Sequence, residues 1–503
     1  MTPATVYLVG AGPGDPGLLT VRAVQCLRRA DVVLYDYLAD PAVLEHAALS
    51  AELVPLGHHE GGRVLTPEDI TRRMVAEARA GRTVVRLKGG DPCVFGRAAD
   101  ETAALREAGV PFEIVPGVTS GLAVAAYCEI PLTQQDEASC VALVTAHERN
   151  EKEESGVSRL DFAALAAFPG TLVFYMGVGR VAQWSAALME HGRKPDTPVA
   201  VVRRCSWADQ ETVRCTLGTA ASVVAERRLK PPAVFVVGEV VERAPELSWF
   251  AARPLFGMRV LVPSAPGTSR KLRDLLVGLG AEVMVQPAIR ITPPPEWAPL
   301  DAALEDIERY DWVVFTSANG VDAFMERLLE SGADARCLHR VRLAVLGPGT
   351  AEELASYRLK ADRVAETFVT ESLASSFLEE AAGTRFLLVQ GSRARKVLPA
   401  TLRMAGAEVD EVVAYGSEDV MEPDPKTAAA FAAGDIDWIT ATSASAVRSL
   451  ARLYGDALRS ARFASIGPVT SAALRELGRE PDLEASPHTA AGLVDAILRV
   501  GER

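Results

Sequence analysis

Short apolar runs that end in glycine, proline or aspartate recur along this chain. Val6-Tyr-Leu-Val9 breaks into Gly10-Ala-Gly-Pro-Gly-Asp-Pro-Gly17, and an amphipathic pattern begins at Leu18. Asp31-Val-Val-Leu-Tyr-Asp36 is a second run, and Val84-Val-Arg-Leu-Lys88 enters a Gly89-Gly90-Asp91-Pro92 turn. Val115 leads into Pro116-Gly-Val-Thr-Ser120, Phe174-Tyr-Met-Gly177 is a further junction, and Val234-Phe-Val-Val-Gly-Glu-Val-Val241 reads as a last strand before a break. Short apolar runs bounded by turn residues predict buried strands. Alternated with helical segments, they predict an α/β fold on parallel sheets.

The glycines add chemistry to that pattern. Glycine lets the backbone approach a ligand closely, and open α/β sheets bind ligands beyond the carboxyl ends of their strands. The first loop is not a dinucleotide fingerprint. That pattern is G-x-G-x-x-G, whereas this loop reads G-x-G-x-G-D-P-G. Pro13 and Pro16 also lack the amide donors that cradle a pyrophosphate.

At 503 residues the chain is too long for one core. Seven scattered cysteines without a C-x-x-C pair argue against a disulfide framework and a zinc site, so no metal centre is expected. The expected compartment is a reducing cytoplasm. A net charge of −13 argues against a nucleic-acid partner. No apolar run is long enough to span a membrane, and the N-terminus shows no secretory pattern.

Residues 242–257 carry Pro245 and Pro254 without a clear period and read as a linker. The expected division is 1–245, a linker at 246–257, and 258–503. A charge-rich stretch at 149–159 reads as an exposed connection inside the first part. The second part holds an internal repeat. Asp311-Trp-Val-Val-Phe-Thr-Ser-Ala-Asn-Gly-Val321 parallels Asp437-Trp-Ile-Thr-Ala-Thr-Ser-Ala-Ser-Ala-Val447, and Leu346-Gly-Pro-Gly-Thr-Ala351 parallels Ile466-Gly-Pro-Val-Thr-Ser471. Each copy predicts a flavodoxin-like parallel-sheet lobe.

Taken in order, the junctions at 6–20, 84–97, 115–121 and 174–177 resemble those of the uroporphyrinogen-III C-methyltransferases. These belong to the tetrapyrrole methyltransferase family and use S-adenosylmethionine. The resemblance implies two α/β lobes divided near residues 130–140, and a homodimer formed through this domain. The repeated second part resembles uroporphyrinogen-III synthase, which is built from two pseudo-equivalent lobes. That resemblance puts 258–290 with 418–503 in one lobe and 291–417 in the other. Together they imply a bifunctional enzyme of sirohaem and cobalamin biosynthesis. It would cyclise hydroxymethylbilane to uroporphyrinogen III and methylate this twice, through precorrin-1 to precorrin-2. Two other readings stay open: a methyltransferase for another tetrapyrrole with a non-catalytic tetrapyrrole-binding second half, and a nucleotide-dependent oxidoreductase.

The methyltransferase resemblance assigns cofactor contacts to Pro13, Gly89, Gly90, Asp91, Val94, Thr119, Ser120, Met176, Cys205 and Ala233, with Cys205 standing where the family has glycine. It makes Asp36 the proton acceptor, although an aspartate at a strand end also caps turns. His58 stands in place of the family's proton-donor lysine, and imidazole titrates nearer neutrality. The family's Thr-His-Arg-Asp reads Thr133-Gln-Gln-Asp136, which removes a positive charge. Candidate counter-charges for a polycarboxylate are Arg22, Arg63, Arg86, Lys88 and Arg97, since guanidinium forks suit carboxylates. In the second part Thr316, Ser317, Asn319, Ser392, Thr442, Ser443 and Thr470 fall at strand ends, where they could line a substrate cleft. The same residue types cap helices. Tyr415 matches the family tyrosine proposed to protonate the leaving hydroxyl, and equally reads as a strand aromatic near the hinge.

Overall fold

The computed structural model describes residues 4–501 apart from 49, 58–64, 147–159, 264–269, 288 and 367–369. The chain forms two compact units. One holds residues 1–258 with 276–282, and the other holds 259–275 with 283–503.

The first unit contains two five-stranded sheets. Strands β1 (Val6–Gly10), β2 (Val32–Tyr35), β3 (Glu52–Pro55), β4 (Val84–Lys88) and β5 (Phe112–Val115) form a wholly parallel sheet in the order β3-β2-β4-β1-β5. Every residue of β4 is buried, as a strand covered on both faces requires. Val6 sits opposite both Val84 and Phe112, so the carboxyl ends of β4, β1 and β5 lie side by side. The helix expected from Leu18 starts later. Pro16–Leu18 is a single 3₁₀ turn, and the α-helix Val21–Leu27 begins after Thr20, whose hydroxyl accepts from the Ala23 amide at 3.1 Å.

The second sheet joins β6 (Val141–Thr145), β7 (Thr171–Tyr175), β8 (Pro198–Arg203), β9 (Glu211–Thr216) and β10 (Ala233–Val237) in the order β6-β7-β10-β8-β9. Only β6 and β7 are parallel; β10 runs antiparallel to both β7 and β8. The start of β10 therefore lies at the same edge as the ends of β7 and β8.

Residues 246–257, expected as a linker, are packed within the first unit. Phe250 is buried, with its ring 4.6 Å from that of Tyr127. The Trp249 indole donates to the Ala126 carbonyl at 2.8 Å and the Trp249 amide to Glu129 Oε1 at 2.7 Å. The segment lacks a period because its apolar residues fill a pocket rather than one face of a helix.

The second unit also has two sheets. One joins β11 (Arg259–Val262), β12 (Glu282–Val285), β19 (Trp438–Ala441), β20 (Arg462–Ser465) and β21 (Leu483–Glu484) in the order β12-β11-β19-β20-β21. The other joins β13 (Ile289–Thr292), β14 (Trp312–Phe315), β15 (Arg342–Val345), β16 (Arg363–Val364), β17 (Arg385–Gly391) and β18 (Glu408–Asp419) in the order β13-β18-β17-β14-β15-β16. β13 pairs antiparallel with the far end of β18, Ile289 facing Asp419. Residues 289–290 and 418–419, assigned to the first lobe from sequence, thus belong to the second sheet. The long β18 carries the ladder past the expected crossing point. Among the described residues no helix is long and apolar enough to cross a membrane. Nor does any group of three or more His, Cys, Asp or Glu among them sit together as a metal site.

Candidate functional site

Three loops of the first unit meet beyond the adjacent ends of β1, β4 and β5. Gly12 and Gly90 exchange backbone hydrogen bonds at 3.2 and 2.7 Å. A Cβ on Gly10 would lie 2.6 Å from the Gly117 backbone and 2.7 Å from the Gly90 carbonyl, and one on Gly117 would overlap that carbonyl. Only glycine permits three chains to converge this closely. Gly89 is equally constrained, since its Cβ would meet Leu38 Cβ at 2.6 Å. Asp91 fastens the junction: its carboxylate accepts from the Cys93 amide at 2.7 Å and the Gly117 amide at 3.0 Å.

The facing lobe completes the site. Thr119 Oγ1 lies 2.8 Å from the Tyr175 hydroxyl, which also accepts from the Gly121 amide at 2.8 Å in the first turn of the helix Ser120–Tyr127. Burial pushes the Tyr175 phenol's pKa up. Met176 adopts a left-handed φ of 55° immediately after β7 and leaves its side chain half exposed. Strained non-glycine backbone of this kind clusters at ligand clamps, and the thioether is soft apolar surface. Val94 packs partly buried beside the Tyr127–Phe250 cluster. Ala233 opens β10 and is buried. Cys205 is buried, and its thiol hydrogen-bonds to Cys128; this contact and burial raise its pKa well above the ordinary thiol value.

A chain of buried charges runs behind these loops. Arg86 Nη2 donates to Asp36 Oδ1 at 2.7 Å, and its Nε reaches Glu101 Oε1 at 3.3 Å. Lys88 Nζ donates to both oxygens of Glu101 at 2.9 and 2.8 Å. Arg86 and Lys88 project from one face of β4 because side chains alternate along a strand. Burial pulls the Lys88 pKa down, against the attraction of Glu101. Two cations are thus balanced by two carboxylates, as buried charge requires.

These pairings correct the expectation of free counter-charges. Lys88 is not available to a substrate, because its ammonium is buried on Glu101. Arg22 grips Glu113 through Nε at 2.7 Å and Nη2 at 2.5 Å. Arg97 pairs with Asp100. His58 and Arg63 lie outside the described residues. Sequence reading also missed that Ser206 and Trp207, on a loop of the facing lobe, and Tyr127, at the end of the helix Ser120–Tyr127, bind the first glycine loop at separations of 112 to 194 residues that no local pattern reveals. A buried glutamate at position 101 was detectable in principle, because β4 places two cations inside a fully buried strand and demands a partner.

In the second unit Ser317 and Tyr415 come together, hydroxyl to hydroxyl at 2.9 Å. Ser317 also caps the helix Ala318–Glu330, accepting from Gly320 at 3.1 Å. The Tyr415 ring rests on Gly391, where a Cβ would lie 2.5 Å from its Cζ. Ser392 accepts from the Ser417 amide at 3.1 Å, and its own amide donates to the Tyr415 carbonyl. Thr316 and Asn319 are partly exposed beside them. In the other repeat copy Ser443 caps the helix Ala444–Tyr454 through Ala446 and bonds Ser445, beside a partly exposed Thr442. Thr470 departs from expectation. It is buried in the first turn of the helix Pro468–Glu476, so its hydroxyl is not presented at the loop surface.

Comparison with known proteins agrees with this division. Residues 5–221 match the family model described as Tetrapyrrole (Corrin/Porphyrin) Methylases, and residues 258–495 match Uroporphyrinogen-III synthase HemD. A porphyrin biosynthesis protein HemD from Ruminiclostridium josui is 33% identical over 498 residues, 99% of this chain and 98% of its own. A uroporphyrinogen-III C-methyltransferase from Bacillus subtilis is 39% identical over 333 residues, 66% of this chain and 68% of its own. An S-adenosyl-L-methionine-dependent uroporphyrinogen III methyltransferase from Methanosarcina barkeri is 47% identical over 236 residues, 47% of this chain and 91% of its own. With glycine loops converging at one end of the chain, a repeated pair of sheets at the other, and a relative aligned across both, this chain belongs to the family that fuses a tetrapyrrole methyltransferase to a uroporphyrinogen-III synthase.

Proposed function

We propose that the second unit converts hydroxymethylbilane to uroporphyrinogen III and that the first methylates this product twice, through precorrin-1 to precorrin-2, with S-adenosylmethionine as donor. The observation that carries the reading is the relative aligned over 99% of the chain, which spans both parts. A homodimer formed through the first unit and a cytoplasmic location belong to the same reading.

The glycine junction leaves room for a cofactor at Gly90, where a Cβ would meet nothing nearer than Thr119 Cα at 3.9 Å, while Gly10, Gly89 and Gly117 let the loops converge around it. Pro13, Gly89, Gly90, Asp91, Val94, Thr119, Ser120, Met176, Cys205 and Ala233 would hold it. When bound, S-adenosylmethionine supplies an electrophilic methyl group to an electron-rich pyrrole carbon. The residues' task is then positioning and exclusion of water. Asp36 takes the proton that the macrocycle loses. Arg86 donates to its Oδ1, which leaves Oδ2 as the accepting atom. In the second unit Tyr415 gives its proton to the leaving hydroxyl and is oriented by Ser317. No strong nucleophile is needed there, since the protonated hydroxyl leaves as water and the electron-rich pyrrole supplies the push.

The test is incubation of the purified chain with hydroxymethylbilane. Uroporphyrinogen III is expected without S-adenosylmethionine and precorrin-2 with it. The type I isomer alone would overturn the synthase assignment. Uroporphyrinogen III that stays unmethylated would overturn the methyltransferase assignment.

A further inference from the structure

The loop Arg203–Gln210 is wired to the first glycine loop more heavily than its position requires. The Trp207 indole donates to the Pro13 carbonyl at 2.9 Å. Ser206 Oγ accepts from the Asp15 amide at 3.0 Å. A Cβ on Gly14 would overlap Cδ1 and Nε1 of Trp207 and stand 3.0 Å from Ser206 Oγ, so residue 14 is flush against the indole. From the other side the Tyr127 hydroxyl donates to Asp15 Oδ2 at 2.8 Å, while Asp15 Oδ1 caps the 3₁₀ turn through Gly17.

The clamping loop is itself rigidly held. Arg204 and Ser206 both adopt left-handed φ, 47° and 67°. The Arg204 guanidinium lies 4.0 Å over the Trp207 ring and is fixed by Asp209 at 2.6 Å. Gln210 accepts from the Ser206 amide at 2.8 Å. Backbone strain maintained by this many side-chain bonds marks a segment whose conformation is used. Cys205 lies in the middle of it.

We infer that Trp207 is a positioning residue for the methyltransferase reaction: with Ser206 it pins Pro13–Asp15 in the posture that receives S-adenosylmethionine. The inference rests on the methyltransferase reading above. A pinned loop binds tightly because little ordering remains for the ligand to impose. Trp207 acts through the Pro13 carbonyl and not by touching the cofactor.

Calorimetric titration of the full chain with S-adenosylhomocysteine tests this. Trp207→Phe keeps the ring and loses the donor, and should weaken binding about tenfold, the size of one lost hydrogen bond. Ser206→Ala should weaken it about threefold or more on the same ground. In steady state the KM for S-adenosylmethionine should rise while kcat stays within about twofold, the pattern of lost uniform binding. Gly14→Ala should weaken binding more in the natural background than in a Trp207→Ala background, where the indole it would strike is gone and only the strain at φ 158° and the Ser206 hydroxyl remain. Wild-type affinity in both Trp207→Phe and Ser206→Ala, or strictly additive losses in the Gly14–Trp207 cycle, would overturn the inference. If Trp207→Ala does not fold, Trp207→Phe and Ser206→Ala decide. Absence of binding by the wild-type chain would instead overturn the methyltransferase reading.

Discussion

The glycine junction of the first unit and the hydroxyl loops of the second use hydrogen bonds of opposite reach. Asp15 is tied to Ser206 and Tyr127 across 191 and 112 positions, and Trp207 reaches Pro13 across 194. Ser317 and Ser443 bond amides only three residues on, and Ser443 a hydroxyl two residues on. Among the described residues the longest tie at the hydroxyl loops is Ser317 to Tyr415, across 98 positions, with Ser392 reaching Ser417 across 25, and the other repeat copy has no phenol in the place of Tyr415. A local cap organises its own helix. A distant bond sets where two segments stand. The first unit is therefore built to hold a ligand in one pose. The second keeps most of its hydroxyls on the helix starts and commits only one copy of its repeat to a longer contact.

The most severe way to separate the two sites is Asp36→Asn. Methylation should fall by about 10²–10⁴-fold, the usual contribution of a positioned base, while uroporphyrinogen III formation stays unchanged. Chromatography of both products from one reaction measures the split, and parallel loss of the two activities would refute independent sites. Glu101→Ala comes next. It leaves Lys88 buried without a carboxylate and Arg86 with Asp36 alone, at a cost of about 3–5 kcal/mol. Urea unfolding followed by far-ultraviolet circular dichroism should show it, and an unchanged midpoint would mean that the charges rehydrate. Smaller again is Gly391→Ala, which drives a methyl into the Tyr415 ring and should cost about 1–3 kcal/mol. Its companion Tyr415→Phe removes only the bond to Ser317, about 1 kcal/mol. If Tyr415→Phe forms type III isomer at the natural rate, the phenol is not the proton donor.

The mildest effect concerns pH. Burial, then the neighbouring Glu353, raise the Asp322 carboxyl from 3.8 to about 7. Glu326 adds repulsion on its own helix, while the Tyr357 hydroxyl, donating at 3.0 Å, opposes the shift. A raised carboxyl means the folded form holds the proton more tightly, so stability is greatest below about pH 4 for this group and declines as pH rises to about 7. Asp322→Asn should flatten that part of the curve. A denaturation midpoint that falls equally between pH 5.5 and 7.5 with and without Asp322 would assign the decline elsewhere.

Legibility in the sequence divides by reach in the same way. The strands, the glycine loops and the repeat declare themselves through local periodicity and turn residues, and the structure has them. The mixed second sheet of the first unit was not legible, because β10 and all of β8 but its last residue, Arg203, are apolar and carry no mark of direction. Ser317 and Ser443 could be read as caps from their place before a helix. Trp207, Ser206 and Tyr127 could not, since each works on a partner more than a hundred positions away. Arg22 and Lys88 were read as free cations because sequence shows the charge and not the glutamate that folds against it.

The shelf formed by residues 249–250 has a consequence for how the protein is made. Tyr127, which holds Asp15, is covered by Phe250, and the Trp249 indole bonds a carbonyl 123 positions upstream. A ribosome adding roughly 5–20 residues per second needs on the order of ten seconds to cover that distance. During that interval the glycine loop and its tyrosine have emerged while their cover has not. Residues 276–282 also join the first unit, so synthesis of the second part is already under way before the first is complete, and the joining segment serves both as a cover for Tyr127 and as the bridge to the second part.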